Sequence, residues 1–335
     1  MNAATAEALK EPNAPPTASL PALVPVRVHA RRALARSTWL YELRCIDSTG
    51  LPPASPGAHL DVELPDGTLR QYSLLAGLSE DPRALVIAVK RDAAGRGGSQ
   101  RLCDTVRPGD LLRVSAPRNN FALHEGPAPA VLIAGGIGIT PMWSMLQALR
   151  SRATPWELHY GCRSRDDAAL IEALEPLTAV RLHFDDAQGG RPLDLAAIVA
   201  AAPPDAHLYC CGPAPMLDAF EAAAAHWPAH RRHLERFSAA QPMARAESGY
   251  MLRLARSGQL LPVAPGQTIL EVIRAAGLEA PSSCEQGICG ACETRVLEGD
   301  VDHRDSILSP DEQAANCTMM ICCSGCKGSR LVLDL

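Results

Sequence analysis

Ser282-Ser283-Cys284-Glu285-Gln286-Gly287-Ile288-Cys289-Gly290-Ala291-Cys292 sets three cysteines in the order Cys-x4-Cys-x2-Cys. With a distant fourth cysteine this is the spacing of plant-type [2Fe–2S] sites, in which four thiolates hold two sulfide-bridged irons. Three ligands from one tight loop need small residues between them, so that backbone N–H groups can point at sulfur. Gly287, Gly290 and Ala291 meet that need. Structural zinc sites favour paired Cys-x2-Cys units, whereas this loop has one such pair plus a cysteine five positions earlier, so iron–sulfur is the preferred reading. Four cysteines compete as the last ligand: Cys317, Cys322, Cys323 and Cys326. Met319 to Ser324 reads as a strand, and successive strand side chains point to opposite faces, so only one of Cys322 and Cys323 is expected to face the cluster.

The rest of the chain agrees with a metal centre rather than a disulfide scaffold. Seven of the twelve cysteines lie between Cys284 and Cys326, at one end of a 335-residue chain with an ample supply of apolar residues. Cys45, Cys103, Cys162, Cys210 and Cys211 are scattered. Apolar residues make up 47% and charged residues 21%, which places the chain among globular proteins of two or three domains. A net charge of −5 argues against nucleic acid as a main partner. No apolar run approaches the ~18 residues of a membrane span; the longest, Val131 to Met145, is interrupted by glycines and a proline. The amino terminus lacks a basic start followed by an apolar stretch, so no signal peptide and a cytoplasmic location are expected.

Outward from the cysteine loop, residues 249–335 form one unit. It opens with a hairpin, Tyr250–Ala255 and Gln259–Val263 around Ser257-Gly258, followed by a helix whose Thr268 and Glu271 form a capping box. Residues 238–248 lack pattern and read as a linker. Residues 124–237 alternate strand and helix: Val131–Ala134, a glycine-rich turn, a helix Pro141–Leu149, then Trp156–Tyr160, helical Asp167–Leu174, Val180–Phe184, helical Leu195–Ala201, His207–Cys211 and helical Ala214–Ala225. That succession predicts a doubly wound parallel α/β sheet. Residues 22–123 show short alternating segments (Val24–Val28, Trp39–Leu43, Leu60–Leu64, Leu85–Val89) separated by turns such as Pro65-Asp66-Gly67, predicting an antiparallel β-barrel. Residues 1–21, rich in Ala and Pro, read as a flexible tail.

Two stretches suggest phosphate binding. Gly95-Arg96-Gly97-Gly98-Ser99, after Ala88-Val89-Lys90, frees backbone N–H groups at a helix start, although a flexible hairpin tip would look the same. Gly135-Gly136-Ile137-Gly138-Ile139-Thr140-Pro141 follows a strand and opens a helix, the setting in which glycines admit a pyrophosphate; a plain strand–helix turn is the alternative. Arg163 and Arg165 stand after a strand end, where an adenosine phosphate could be met, and Asp185-Asp186 near the next strand end would repel an additional phosphate. Cys210 and Cys211 end another strand, and two buried structural thiols are the plain account of them.

The cysteine loop, Asp302-His303-Arg304-Asp305 and the closing Leu331-Val332-Leu333-Asp334-Leu335 resemble the carboxy-terminal ferredoxin domain of the phthalate dioxygenase reductase family, which includes vanillate O-demethylase reductases. The resemblance extends from about Val24 to the end, in the same module order. Arg70-Gln71-Tyr72-Ser73 resembles the Arg-x-Tyr-Ser motif of ferredoxin-reductase-like barrels, Gly135 to Pro141 their Gly-Gly-x-Gly-x-Thr-Pro form, and Cys211-Gly212-Pro213 their Cys-Gly-Pro motif. The resemblance implies a β-grasp [2Fe–2S] domain, FMN and NADH. FMN would be held by Arg70, Tyr72, Ser73, Leu74, Ala88, Val89, Lys90, Gly97, Gly98 and Ser99, with Ser73 near flavin N5 and Phe237 packed on the ring. NADH would meet Gly135, Gly136, Gly138, Thr140, Pro141, Arg163, Cys211, Gly212 and Pro213, with Cys211 beside the nicotinamide. Among the competing cysteines the resemblance picks Cys322, nine residues before the closing segment, to complete Cys284, Cys289 and Cys292. It further implies a monomer that passes electrons from NADH through FMN and the cluster to a Rieske-type aromatic-ring dioxygenase or O-demethylase. A reductase of a di-iron or haem monooxygenase, or a non-enzymatic zinc-stabilised adaptor, are the alternatives.

Overall fold

A computed structural model describes residues 22–47, 50–238 and 248–335. The tail expected at 1–21 and most of the linker expected at 238–248 lie outside them. The first unit contains β1 (Val24–Ala35), β2 (Thr38–Cys45), β3 (His59–Glu63), β4 (Leu69–Ser73), β5 (Leu85–Lys90), α1 (Gly98–Thr105) and β6 (Leu111–Val114). The strands run β4-β3-β6-β1-β2-β5, and every pairing is antiparallel. A bridge between Leu74 and Ile87 brings the two sheet edges together, closing the barrel. Val26, Val28, Tyr41, Leu43, Leu60 and Ile87 fill its interior.

The second unit contains β7 (Ala130–Gly135), α2 (Ile139–Arg152), β8 (Trp156–Cys162), α3 (Ile171–Leu174), β9 (Val180–Phe184), α4 (Leu195–Ala201), β10 (His207–Cys211), α5 (Ala214–Ala223) and β11 (Arg232–Glu235). The order β11-β10-β7-β8-β9 is wholly parallel and reverses direction at β7. β7 is buried along its length, as a strand covered on both faces must be. The helix expected over Asp167–Leu174 is shorter than predicted. Arg165–Asp167 makes a 3-10 turn, Leu170 takes a left-handed conformation, and only Ile171–Leu174 is α-helical. Ala168, Ala169 and Leu170 are instead drawn into the core as a connecting segment.

The third unit contains β12 (Tyr250–Leu254), β13 (Leu260–Val263), α6 (Ile269–Ala275), β14 (Glu293–Glu298), β15 (Val301–Asp302), α7 (Pro310–Ala315), β16 (Thr318–Met320), β17 (Gly325–Cys326) and β18 (Arg330–Leu333). Its sheet runs β13-β12-β18-β14-β16, with β12 and β18 parallel at the centre and α6 packed across it, the β-grasp arrangement. The expected capping box is present: Thr268 Oγ1 accepts from the Glu271 backbone N–H while the Glu271 carboxylate accepts from that of Thr268. Ser309 and Glu312 repeat the device at α7. The strand expected over Met319–Ser324 ends at Met320. Residues 321–323 form a turn, so Cys322 and Cys323 do not alternate across a sheet, and Cys326 lies in β17.

Candidate functional site

The four thiols Cys284, Cys289, Cys292 and Cys322 are all buried and lie together. Backbone N–H groups of Gln286 and Ala291 point at the Cys284 and Cys289 sulfurs, at 3.3 and 3.4 Å. Gly287 makes this loop possible: its φ is +68°, and a Cβ there would stand 2.5 Å from Cys323 Sγ. Cys289 and Cys322 both lie within hydrogen-bonding reach of the Cys284 sulfur, which pushes the Cys284 thiol down and those of Cys289 and Cys322 up. Cys322 contacts both Cys284 and Cys292. The Cys323 thiol donates to the Met320 carbonyl, Cys326 to that of Arg330 and exposed Cys317 to that of Ala315. Among the described residues no three His, Cys, Asp or Glu side chains are grouped as around a single metal ion. The donor set of four adjacent thiols with N–H groups aimed at sulfur suits a two-iron cluster.

Two adjoining pockets with shared walls form a cleft between this loop, the barrel and the nucleotide unit. Its cluster end is lined by His59, Arg96, Asn120, Glu235, Phe237 and Cys284, and its far end by Ala88, Lys90, Gly98, Ser99, Ile137 and Thr140. Arg70, Gln71, Tyr72 and Ser73 line both ends. Ser73 Oγ is buried without a hydrogen-bond partner, which fits a hydroxyl aimed at a missing polar atom such as flavin N5. Phe237 is 41% exposed at the end of β11, an aromatic face open to the cleft. At the far end α1 begins at left-handed Gly97, and a Cβ on Gly98 would lie 2.6 Å from Arg70 Nε. Arg96 joins Arg70 there, and burial and the neighbouring guanidinium both lower its pKa. Two cations beside free helix N–H groups suit a phosphate dianion. Ser99 Oγ accepts from the Asp92 backbone N–H, tying the loop shut. Leu74 and Val89 point into the barrel core and support the cleft from behind.

The glycine turn and the Cys-Gly-Pro segment abut at the carboxyl ends of β7 and β10, where the sheet order reverses and where open α/β sheets bind ligands. Gly138 fits against the Cys211 carbonyl, 2.0 Å from where a Cβ would stand; Gly135 fits against Met216 and Pro213, and Gly212 against Met216. Thr140 Oγ1 donates to the Ile137 carbonyl, and Pro141 is buried in the first turn of α2. Arg163 is exposed just beyond β8, whereas Arg165 pairs with Glu175 through both carboxylate oxygens and is turned to that helix. Cys210 and Cys211 face opposite sides of the sheet. Both are fully buried and pushed up by burial, so Cys211 is a neutral thiol beneath the cleft rather than on its wall.

Sequence reasoning missed Glu235, His59, Arg96, Gln286 and Asn120. Glu235 pairs in register with Cys211. Burial raises its carboxyl to about 8, its Oε2 has no partner, and His59 Nδ1 lies 3.9 Å from Oε1. Burial, then the Arg118 charge, lowers His59 to about 4, so it is neutral at neutral pH. The signal for Glu235 was its place two residues before Phe237; nothing local marked His59.

Residues 252–327 match the model of the 2Fe-2S iron-sulfur cluster binding domain, and residues 132–222 that of the oxidoreductase NAD-binding domain. The chain is 52% identical over 313 residues to the phenoxybenzoate dioxygenase subunit beta of Ectopseudomonas oleovorans, covering 93% of this chain and 97% of that one. A solved structure of phthalate dioxygenase reductase, described as a modular structure for electron transfer from pyridine nucleotides to [2Fe-2S], superposes with a TM-score of 0.69 at 38% identity, over 93% of this chain and 98% of that one. An intact type IV self-sufficient cytochrome P450 monooxygenase gives a TM-score of 0.85 at 38% identity, over 93% of this chain and 41% of that one.

Proposed function

The chain belongs to the phthalate dioxygenase reductase family, and from that premise we propose that it carries electrons from NADH through FMN and a [2Fe–2S] cluster to a Rieske-type aromatic-ring dioxygenase or O-demethylase. The observation that carries this reading is the single cleft that has an unpartnered Ser73 hydroxyl, an exposed Phe237 ring and the Cys284 thiol on its walls. When bound, FMN and the cluster supply the conversion of a two-electron hydride into single electrons, which neither nicotinamide nor side chains provide. The chain's own residues do the rest. Arg70, Arg96, Gly97, Gly98 and Ser99 hold the flavin phosphate, Tyr72 and Phe237 flank the ring, and Ser73 orients its N5 edge. Gly135 to Pro141 with Gly212-Pro213 seat the nucleotide. Cys211 acts by shaping the floor under the nicotinamide, without a covalent step. Cys284, Cys289, Cys292 and Cys322 hold the iron.

The units are taken as 22–123, 124–237 and 249–335, acting as a monomer. Among the described residues no helix is long and apolar enough to cross a membrane. The likeness to the reductase-sized part of a cytochrome P450 favours a haem monooxygenase as the second acceptor class. Anaerobic reduction by NADH, read by absorbance and electron paramagnetic resonance, tests the electron path. Flavin bleaching followed by the paramagnetic signal of a reduced [2Fe–2S] centre is expected; a colourless, zinc-containing protein would overturn it. A Rieske oxygenase and a haem monooxygenase offered in parallel then separate the acceptors.

A further inference from the structure

Two different seams join the three units. Between the barrel and the nucleotide sheet the apolar core is continuous: Leu75, Val86 and Phe121 share one cluster with Leu132, Met142 and Tyr160. Trp143 Nε1 donates to the Ala76 carbonyl at 2.8 Å across the same seam. The cluster unit is joined otherwise. Its apolar core draws on residues from Tyr250 onward, and the barrel's core on none of these. Polar bonds cross this second seam. Ser283 Oγ donates to Asp61 Oδ1 at 2.7 Å, Arg96 Nη2 to the Cys284 carbonyl at 3.1 Å, and Asn120 Nδ2 to the Cys289 carbonyl at 2.9 Å.

Asp61 is the centre of this seam. It lies on β3 with no exposed surface, and a carboxylate so placed is costly unless it is paired and hydrogen-bonded. Arg118 Nη1 is 2.7 Å from its Oδ2, but off the hydrogen-bonding direction. The aligned bond to the carboxylate is the one from Ser283, the residue before Cys284, whose thiol lines the cleft. Opening the seam returns Asp61 and Arg118 to water without splitting a shared apolar core. Interfaces of that kind come apart readily, whereas a shared apolar core does not.

We propose that the cluster unit docks reversibly on the barrel, and that Asp61, acting through Ser283, is the positioning residue that holds Cys284 at the flavin cleft. This rests on the cleft being the flavin site. Losing a hydrogen bond to an ionised group shifts a docking equilibrium by roughly tenfold or more. The test uses Ser283→Ala and Asp61→Asn as holoproteins, which attack the bond from opposite sides, so a variant that fails to fold leaves the other to decide. Each is mixed with NADH anaerobically while flavin bleaching and cluster reduction are followed separately. Small-angle scattering of the oxidised proteins supplies a readout independent of turnover. Flavin reduction at the parent's rate, an unchanged oxidised cluster spectrum, cluster reduction slowed by about tenfold or more and a larger radius of gyration are expected. A folded, fully loaded variant that reduces its cluster at the parent's rate and keeps the parent's radius of gyration overturns the proposal. Absence of flavin reduction by NADH in the parent itself would remove the functional reading instead, while scattering would still decide the docking.

Discussion

Cys322 and Cys323 are adjacent and both buried, yet only Cys322 reaches Cys284 and Cys292. Replacing Cys322 with Ser removes a thiolate from the four-sulfur set and leaves the barrel untouched. The charge-transfer absorbance of the cluster should be lost or severely altered while NADH still bleaches the flavin. Cys323→Ala, which removes a thiol bonded to the Met320 carbonyl, should keep a normal spectrum; the opposite pair of results would move the ligand by one residue. Glu235 makes a second prediction. Its folded carboxyl is raised to about 8 by burial, above its value in the unfolded chain. The neutral acid is therefore the form that the fold favours. Its contribution is full below the unfolded value near 4.5 and is lost as pH rises through about 8. Glu235→Gln cannot ionise, so its melting temperature relative to the parent should rise steadily between pH 5 and pH 8.5, as scanning fluorimetry can record. A constant difference across that range would show that the carboxyl is not buried as neutral acid.

At the scale of elements, patterns set by local chemistry were legible and patterns set by tertiary contact were not. The strand alternation of the barrel, the βα succession, the Thr268–Glu271 cap and the Cys-x4-Cys-x2-Cys loop all follow from residue spacing, and all are present. The helix predicted over Asp167–Leu174 is confined to Ile171–Leu174, because Ala168 to Leu170, apolar enough for a helix, pack into the core with β8. The apolar run Met319–Ser324 predicts a strand. Its second half turns, and the turn sets Cys322 beside Cys284 and Cys292. Contact with Cys284 and Cys292, not alternation, is what favours Cys322 over Cys323 as the proposed fourth ligand. Gly287 shows how tightly that loop is held. Alanine there would place a Cβ 2.5 Å from Cys323 Sγ at a φ of +68°, and the left-handed backbone alone costs about 1–2 kcal/mol for a residue with a Cβ. Gly287→Ala should cut iron and sulfide content to well below half of the parent's. Gly287→Ala/Cys323→Ala should recover part of it, since the clash is relieved and the backbone strain is not. Full iron content in the single variant would show that the loop tolerates the substitution.

Across the whole molecule, cooperativity should follow the cores rather than the order of the chain. The barrel and the nucleotide sheet share one apolar cluster, with Phe121 against Tyr209 and Trp143 bonded to Ala76. Unfolding either one would expose the face of the other, so they cannot melt independently. The cluster unit encloses its own core of Leu252, Ile269, Ile273 and Leu331. Its stability depends on thiolate–iron bonds that form only in the folded chain. Calorimetry of the holoprotein should therefore resolve two transitions, one for the joined barrel and nucleotide units and one for the cluster unit. Removing iron with a chelator under reducing conditions should lower the second by many degrees, because binding free energy is folding free energy for such a site. The first should move little, since the bonds it loses at the seam are the polar ones from Asp61, Arg96 and Asn120. Adding FMN should raise the first transition by mass action on Arg70, Arg96 and the start of α1, and leave the second where it was. A single transition that shifts as a whole with both iron and flavin would mean that the polar seam couples all three units as strongly as the apolar one couples two.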